Sequence, residues 1–189
     1  MKKFLLAAIG ATGLLASCGP DGGVTVDSNP PTLTNASGLY TNHKLSVTAT
    51  DANTGTVYPA GTYVVCDNKN TTIELNVSWT GQLWDLDLFT IGGYYGTNYD
   101  YLGSYTAGGR WNGTGTIEYT FGPNAAPLSI NGKLSAQAIT VNPVVAINVK
   151  GFTGIAVQGR SYGDVAGNYL HAKTLNSVNG DYLPVVDCQ

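Results

Sequence analysis

Apolar side chains return at every second position in one stretch after another, and no window of a dozen residues carries an apolar stripe at helical spacing. Such a period puts alternate side chains on opposite faces of an extended chain, so an all-β body is expected. Leu45, Val47 and Ala49 alternate with Ser46, Thr48 and Thr50 before Asp51-Ala52-Asn53-Thr54-Gly55 turns the chain. Tyr63 to Cys66 follows Pro59-Ala60-Gly61. Ile73, Leu75, Val77 and Trp79 alternate with Glu74, Asn76 and Ser78, and Thr80-Gly81-Gln82 is expected to join this strand to Leu83–Ile91 as a hairpin. Ile117, Tyr119 and Phe121 alternate with Thr116, Glu118 and Thr120. Leu128–Ile130 is expected to meet Lys133–Ala136 across Asn131-Gly132, a strong hairpin signal. Val145, Ile147 and Val149 follow Asn142-Pro143, with Ile155 to Val157 after them. About eight or nine strands with frequent turns predict a single β-sandwich or jelly-roll-like domain. Gly92 to Gly115 departs from the pattern, with eight glycines and five tyrosines and no clean alternation. It reads as a long excursion, the kind of segment in which function tends to sit.

The other end of the argument is the N-terminus. Met1-Lys2-Lys3 is a short basic start, and the apolar run Phe4–Leu15 behind it is too short to be a comfortable membrane span. Leu15-Ala16-Ser17-Cys18 then resembles the lipobox of bacterial lipoproteins: an aliphatic residue, two small residues and a cysteine. The resemblance implies that residues 1–17 are an export signal and that Cys18 becomes a lipidated N-terminus carrying acyl chains such as palmitate. Several acyl chains on one residue anchor durably, where a single chain binds only marginally. The plain alternative is an ordinary export signal that happens to contain a cysteine. Gly19, where enterobacterial lipoproteins retained at the inner membrane carry Asp, points to the outer membrane or cell surface in a two-membrane source. Residues 18–38 are rich in Gly, Pro, Ser, Thr and Asn and are expected to be a flexible tether, leaving residues 39–189 as the β-sandwich domain. No other segment is apolar enough to span a membrane, so the lipid would be the sole anchor.

Composition narrows the partners. Charged residues are 11% of the chain, and losing Lys2 and Lys3 takes the net charge from −3 to −5, so no basic footprint for nucleic acid exists. With Cys18 assigned to lipid, Cys66 and Cys188 remain as an even pair in an oxidising compartment, and a disulfide between them is the natural reading. The bridge would close a loop of about 120 residues and stabilise by roughly 4 to 5 kcal/mol in the chain-entropy model. Two unpaired buried thiols are the alternative, since spacing alone does not prove contact.

The stretch Ile73–Ile91, IELNVSWTGQLWDLDLFTI, resembles a hairpin of the bacterial pre-peptidase C-terminal type of domain and its jelly-roll relatives: an aliphatic strand ending in Trp79, a turn with Gly81, then Asp85-Leu86-Asp87-Leu88. The likeness covers about 19 residues, and the Pro-Asn-Gly turn and late Gly-x-Tyr strand of that family are not matched here. It implies a noncatalytic β-sandwich accessory to surface proteins, in some cases binding calcium or matrix polymers.

Two candidate sites emerge. Asp85 and Asp87 lie two apart on one strand, about 7 Å from each other on one face, and with Asp100 or Asn98 can supply oxygens for Ca²⁺. The simpler alternative is that Trp84, Leu86 and Leu88 face the core and leave both aspartates in solvent. Tyr94, Tyr95, Tyr99, Tyr101, Tyr105 and Trp111 cluster among glycines and can form a contact surface for sugar rings or a partner protein, or can simply cover a sandwich edge. Catalysis has little support: His43 and His171 stand outside any metal or nucleophile motif, and Glu74 and Glu118 read as solvated residues on the polar faces of strands. Sequons at Asn35, Asn70, Asn76 and Asn112 carry no weight in a bacterial lipoprotein. The expectation is a noncatalytic, lipid-anchored envelope protein with an envelope-protein or glycan partner. A calcium-dependent carbohydrate-binding module or a secreted-type hydrolase is the rival.

Overall fold

A computed structural model describes residues 29–91, 99–125, 127–133, 139–163, 165–174 and 182–189. Cys18 and the export signal fall outside the described residues, as do Tyr94, Tyr95 and Asn98. Among the described residues every regular element is a β-strand except a single 3-10 turn at Pro123–Ala125. Its strands are β1 (Thr32–Thr41), β2 (His43–Leu45), β3 (Ala49–Thr50), β4 (Val57–Tyr58) and β5 (Val65–Cys66). Two long strands follow, β6 (Thr71–Ile91) of 21 residues and β7 (Tyr99–Phe121) of 23. After them come β8 (Pro127–Lys133), β9 (Asn142–Val144), β10 (Ala146–Arg160), β11 (Ala166–His171), β12 (Lys173–Thr174) and β13 (Leu183–Cys188).

The expected hairpin at Thr80-Gly81-Gln82 does not form. β6 continues through it and pairs with β7 along both halves, with register shifts between Trp79 and Gln82 and between Leu83 and Asp85. The two strands therefore travel as one ribbon that folds over at this point, where Gly81 holds φ +82. Along its free edge β6 binds β1 from Ile73 to Thr80 and then β10 from Asp85 to Ile91. The segment 166–174 closes the sheet on itself, pairing with β10 at its start and with β1 at its end. Two layers result: β8, β7, β6, β1 and β12 in one, and β7, β6, β10 and β11 in the other. They share one core, in which Ile73, Leu75, Val77 and Ile117 meet Leu86, Leu88, Ile155 and Val157. The all-β sandwich expected from the alternation is what the chain forms.

Three further expectations are corrected by the pairing. Residues 32–38, expected in the tether, are already strand, with Leu33 and Ala36 buried against β6. Most of the region read as an irregular excursion is β7, whose glycines take positive φ at Gly103, Gly108 and Gly109 and let the strand bend with β6. Asn131-Gly132 is not a turn but lies inside β8, opposite Glu118 and Ile117. Gly132 is there for space: a β-carbon at this position would fall within the Tyr105 ring, which projects inward from β7.

A second, smaller core joins Leu45, Tyr58, Val64, Val144, Val149 and Val186 around Cys66 and Cys188. These cysteines form the expected disulfide, with Cα atoms 5.4 Å apart across a sequence separation of 122. It ties β13 to β5, a parallel pairing of only two registered residue pairs. Beside it, Lys150 Nζ lies 2.6 Å from carboxylate oxygens of both Asp67 and Asp187. Hydrogen bonds to Asp187 and Asp67 hold its ammonium well above the ordinary lysine range.

Candidate binding face

The outward side of the second layer carries the most organised chemistry. Register alone builds it: Asp85 lies between Thr106 and Arg160, Asp87 between Ser104 and Gln158, and Phe89 between Tyr101 and Ala156. Gln158 in turn faces Tyr169, and Ala156 faces His171. Period-two geometry points Asp85, Asp87 and Phe89 to one side, while Leu86 and Leu88 enter the core.

Two rows run across this face. In the polar row, Arg160 Nε lies 2.8 Å from Asp87 Oδ2, and its Nη2 lies 3.7 Å from Asp85 Oδ2. Ser104 Oγ donates to Asp87 Oδ1, and the Tyr101 hydroxyl lies 2.9 Å from Ser104 Oγ. In the aromatic row, the Phe89 ring centroid is 5.6 Å from Tyr101 and 5.3 Å from Tyr169. Ala156 is small enough to let Phe89 reach diagonally to Tyr169. Phe89 is half-buried and forms the floor, while Tyr101 and Tyr169 remain 59% and 47% exposed. Their rings tilt 61° and 52° from it, so the row is a shallow trough with aromatic sides.

The solvated alternative does not hold for Asp87. Asp87 is buried, not solvated, because Arg160 and Ser104 cover it. Trp84 does not enter the core either: the register shift at this point leaves it half-buried and edge-on to Tyr162, with centroids 5.4 Å apart. As for calcium, a guanidinium stands between Asp85 and Asp87, while Asp100 sits opposite Thr90 further along the ribbon. Among the described residues no group of three or more His, Cys, Asp or Glu side chains can hold a metal ion.

The expected aromatic cluster is dispersed by the strand. Tyr101 is on the outer face, whereas Tyr105 points inward against the core and Trp111 stands 50% exposed at the fold of the ribbon. Tyr99 opens β7 opposite Ile91, with its side chain outside the description, and Tyr94 and Tyr95 lie outside it altogether. Sequence reasoning missed Phe89, Arg160 and Tyr169. Only Phe89 was signalled, by its spacing of two from Asp87; the others depend on which strands neighbour β6.

Glu74 overturns a second expectation. It is fully buried, accepts a hydrogen bond from the Tyr40 hydroxyl, and lies directly opposite Glu118 on β7. Its other oxygen has no hydrogen-bond partner among the described residues. Burial, followed by the hydrogen bond to Glu74 and its charge, raises the Tyr40 hydroxyl far above the usual tyrosine range. Glu118 is half-exposed. His43 is buried with Nε2 3.0 Å from the Asn70 carbonyl oxygen, and His171 is exposed on β11; the two do not meet. The chain matches no protein-family model, no curated protein and no solved structure.

Proposed function

We propose that this chain is a noncatalytic lipoprotein of the bacterial envelope, held outside the cytoplasm by acylated Cys18, that binds a glycan in the trough of the second layer. The observation that carries the binding reading is the side-by-side placement of an exposed aromatic row and a fixed carboxylate–guanidinium row. Sugars present apolar C–H faces and polar hydroxyl edges, so a ring stacked on Tyr169 or Tyr101 can meet oxygen acceptors at Asp85 and donors at Arg160. Tyr101 on β7 and Tyr169 on β11 stand three strand spacings apart, about 14 Å along the sheet, with both rings leaning towards Phe89, which suits a short run of linked sugars better than a single ring. The support for anchoring is the lipobox-like Leu15-Ala16-Ser17-Cys18, and the cystine of Cys66 and Cys188 agrees with an oxidising compartment.

The test is a glycan array probed with the mature protein, followed by titration of any hit against Tyr101→Ala and Tyr169→Ala. Each substitution should weaken binding by roughly tenfold, the worth of one aromatic contact. Binding that survives both substitutions unchanged, or an array without hits beside capture of an envelope protein by the same face, overturns the glycan reading.

A further inference from the structure

At the fold of the β6–β7 ribbon the sandwich has a distinct end, and the N-terminal segment of the chain comes in there. Pro31 is buried at that end, beside Gly81 of β6 and Gly159 of β10. A β-carbon on Gly167 would overlap the Pro31 carbonyl oxygen, so only glycine lets β11 and the incoming chain approach this closely. Leu33 N–H donates to Asn168 Oδ1, and Asn168 Nδ2 donates to Leu33 O at 2.8 Å, so the first strand is clamped to β11 as soon as it begins.

The same end displays apolar and aromatic side chains. Gly81 N–H donates to Asn112 Oδ1 at 2.7 Å, and the neighbouring Trp111, opposite Gln82, is 50% exposed. Tyr162, in the turn between β10 and β11, is 60% exposed and touches Trp84. Val165 of that turn is exposed as well, its carbonyl oxygen accepting from Ser161 N–H. Tryptophan and tyrosine placed at an apolar–aqueous boundary satisfy both their ring and their polar tip, which is why they concentrate at membrane interfaces.

We infer that this end, formed by Trp111, Tyr162 and Val165, seats in the headgroup region of the membrane that holds the Cys18 lipid. The inference rests on the lipoprotein reading above, and it adds an orientation to it. Eleven peptide units separate Cys18 from Asn29, so covalent geometry alone limits that separation to about 40 Å. The anchored chain therefore enters the folded domain at the end carrying Pro31. Bilayer lipid is the partner whose boundary chemistry these aromatic side chains fit. The trough lies on the flank, with Phe89 five residues along β6 from Trp84, and seating the end leaves the trough open.

The test uses the mature lipidated chain in vesicles of phosphatidylethanolamine and phosphatidylglycerol, with brominated acyl chains as a fluorescence quencher. The sequence holds three tryptophans; Trp79 is buried in the core, and the half-buried Trp84 at this same end is replaced by Phe in the reference protein and in every variant, so Trp111 is the reporter. The reference protein should float with the vesicles and be quenched, and Trp111→Phe should float equally but lose most of the quenching. A Tyr162→Ser, Val165→Ser variant, which alters only exposed positions, should float and show weaker quenching of Trp111. Protein that floats without quenching, or Trp111→Phe quenched like the reference protein, overturns the seating while leaving the anchor intact. Protein that fails to float overturns the lipoprotein reading and the seating with it.

Discussion

Replacing Glu74 by Gln should stabilise this protein, although it removes the charged acceptor of a buried hydrogen bond. Glu74 is fully buried, with Glu118 opposite it on the neighbouring strand. Cross-strand neighbours hold their β-carbons about 5 Å apart, and two like charges at that separation repel by about 3 kcal/mol at an effective dielectric constant near 20. Glu118 is half-exposed, so solvent screening removes about half of this, leaving about 1.5 to 2 kcal/mol. Against it stands the Tyr40 hydroxyl, whose bond to a carboxylate becomes a bond to an amide, a loss of about 1 kcal/mol. Relief of a buried charge whose second oxygen has no partner among the described residues adds to the gain. The net expectation is about 1 to 2 kcal/mol in favour of Glu74→Gln at neutral pH. For a domain of this size that is a rise in Tm of about 4 °C, read by calorimetry. Tyr40 should also ionise at lower pH in the variant, because Glu74 is one of the groups that raises it; tyrosinate absorbance in a pH titration reads this. A Glu74→Gln protein less stable than its parent by 1 kcal/mol or more would refute the reasoning, since it would mean that the carboxylate is compensated in place.

Three other perturbations follow from the packing. Removing the disulfide by a double Cys66→Ala, Cys188→Ala substitution should cost about 5 kcal/mol, because the closed loop is 122 positions long, and denaturant melts should show it as a lower midpoint. Gly132→Ala should cost about 1 to 3 kcal/mol by driving a methyl group into the Tyr105 ring, and a second change, Tyr105→Leu, should recover part of that loss in urea unfolding. Tyr119 is buried with its hydroxyl unpartnered among the described residues, and burial pushes its ionisation up to about 12. A raised folded value means that the unfolded chain releases its proton first, so stability is complete below pH 10 and falls as pH rises from 10 towards 12. Tyr119→Phe should lessen that alkaline loss in chemical melts at pH 8 and pH 11.

The layers were legible because burial follows period two wherever a strand has one face on the core. Ile73, Leu75, Val77, Ile117, Leu86 and Leu88 all point where alternation put them. The turns were less legible, for a physical reason that differs at each. Gly81 takes positive φ as a turn glycine would, yet the ribbon folds over there instead of pairing with itself. Gly132 carries no such strain in its favour; it is glycine because an aromatic ring from the facing layer lies on it. A single sequence cannot separate conformational need from steric need at a glycine. The polar faces posed the converse problem. Glu74 and Asp87 do lie on the outer sides of their strands, as expected, but Tyr40 in one case and Arg160 in the other reach across from neighbouring strands and bury them. Those neighbours, β1 and β10, are far from β6 in sequence, so no local pattern announces them.

The same long-range pairing ties the trough to the end at which Pro31 enters the fold. β10 contributes Arg160 to the polar row, and two residues later Tyr162 stands at the end where Pro31 arrives. β6 likewise contributes Trp84 to that end and Asp85, Asp87 and Phe89 to the flank. If the end seats on the bilayer as inferred above, orientation and exposure of the trough are set by the same two strands. A rigid connection of this kind predicts that Tyr162→Ser, Val165→Ser leaves glycan affinity unchanged in detergent solution, where no bilayer is present. On vesicles carrying the anchored protein, the variant should bind a long glycan less uniformly, because the flank is no longer held at a fixed height above the bilayer. Surface plasmon resonance of the same pair of proteins in both settings reads the difference, and equal behaviour on vesicles would show that the end does not set the orientation of the flank.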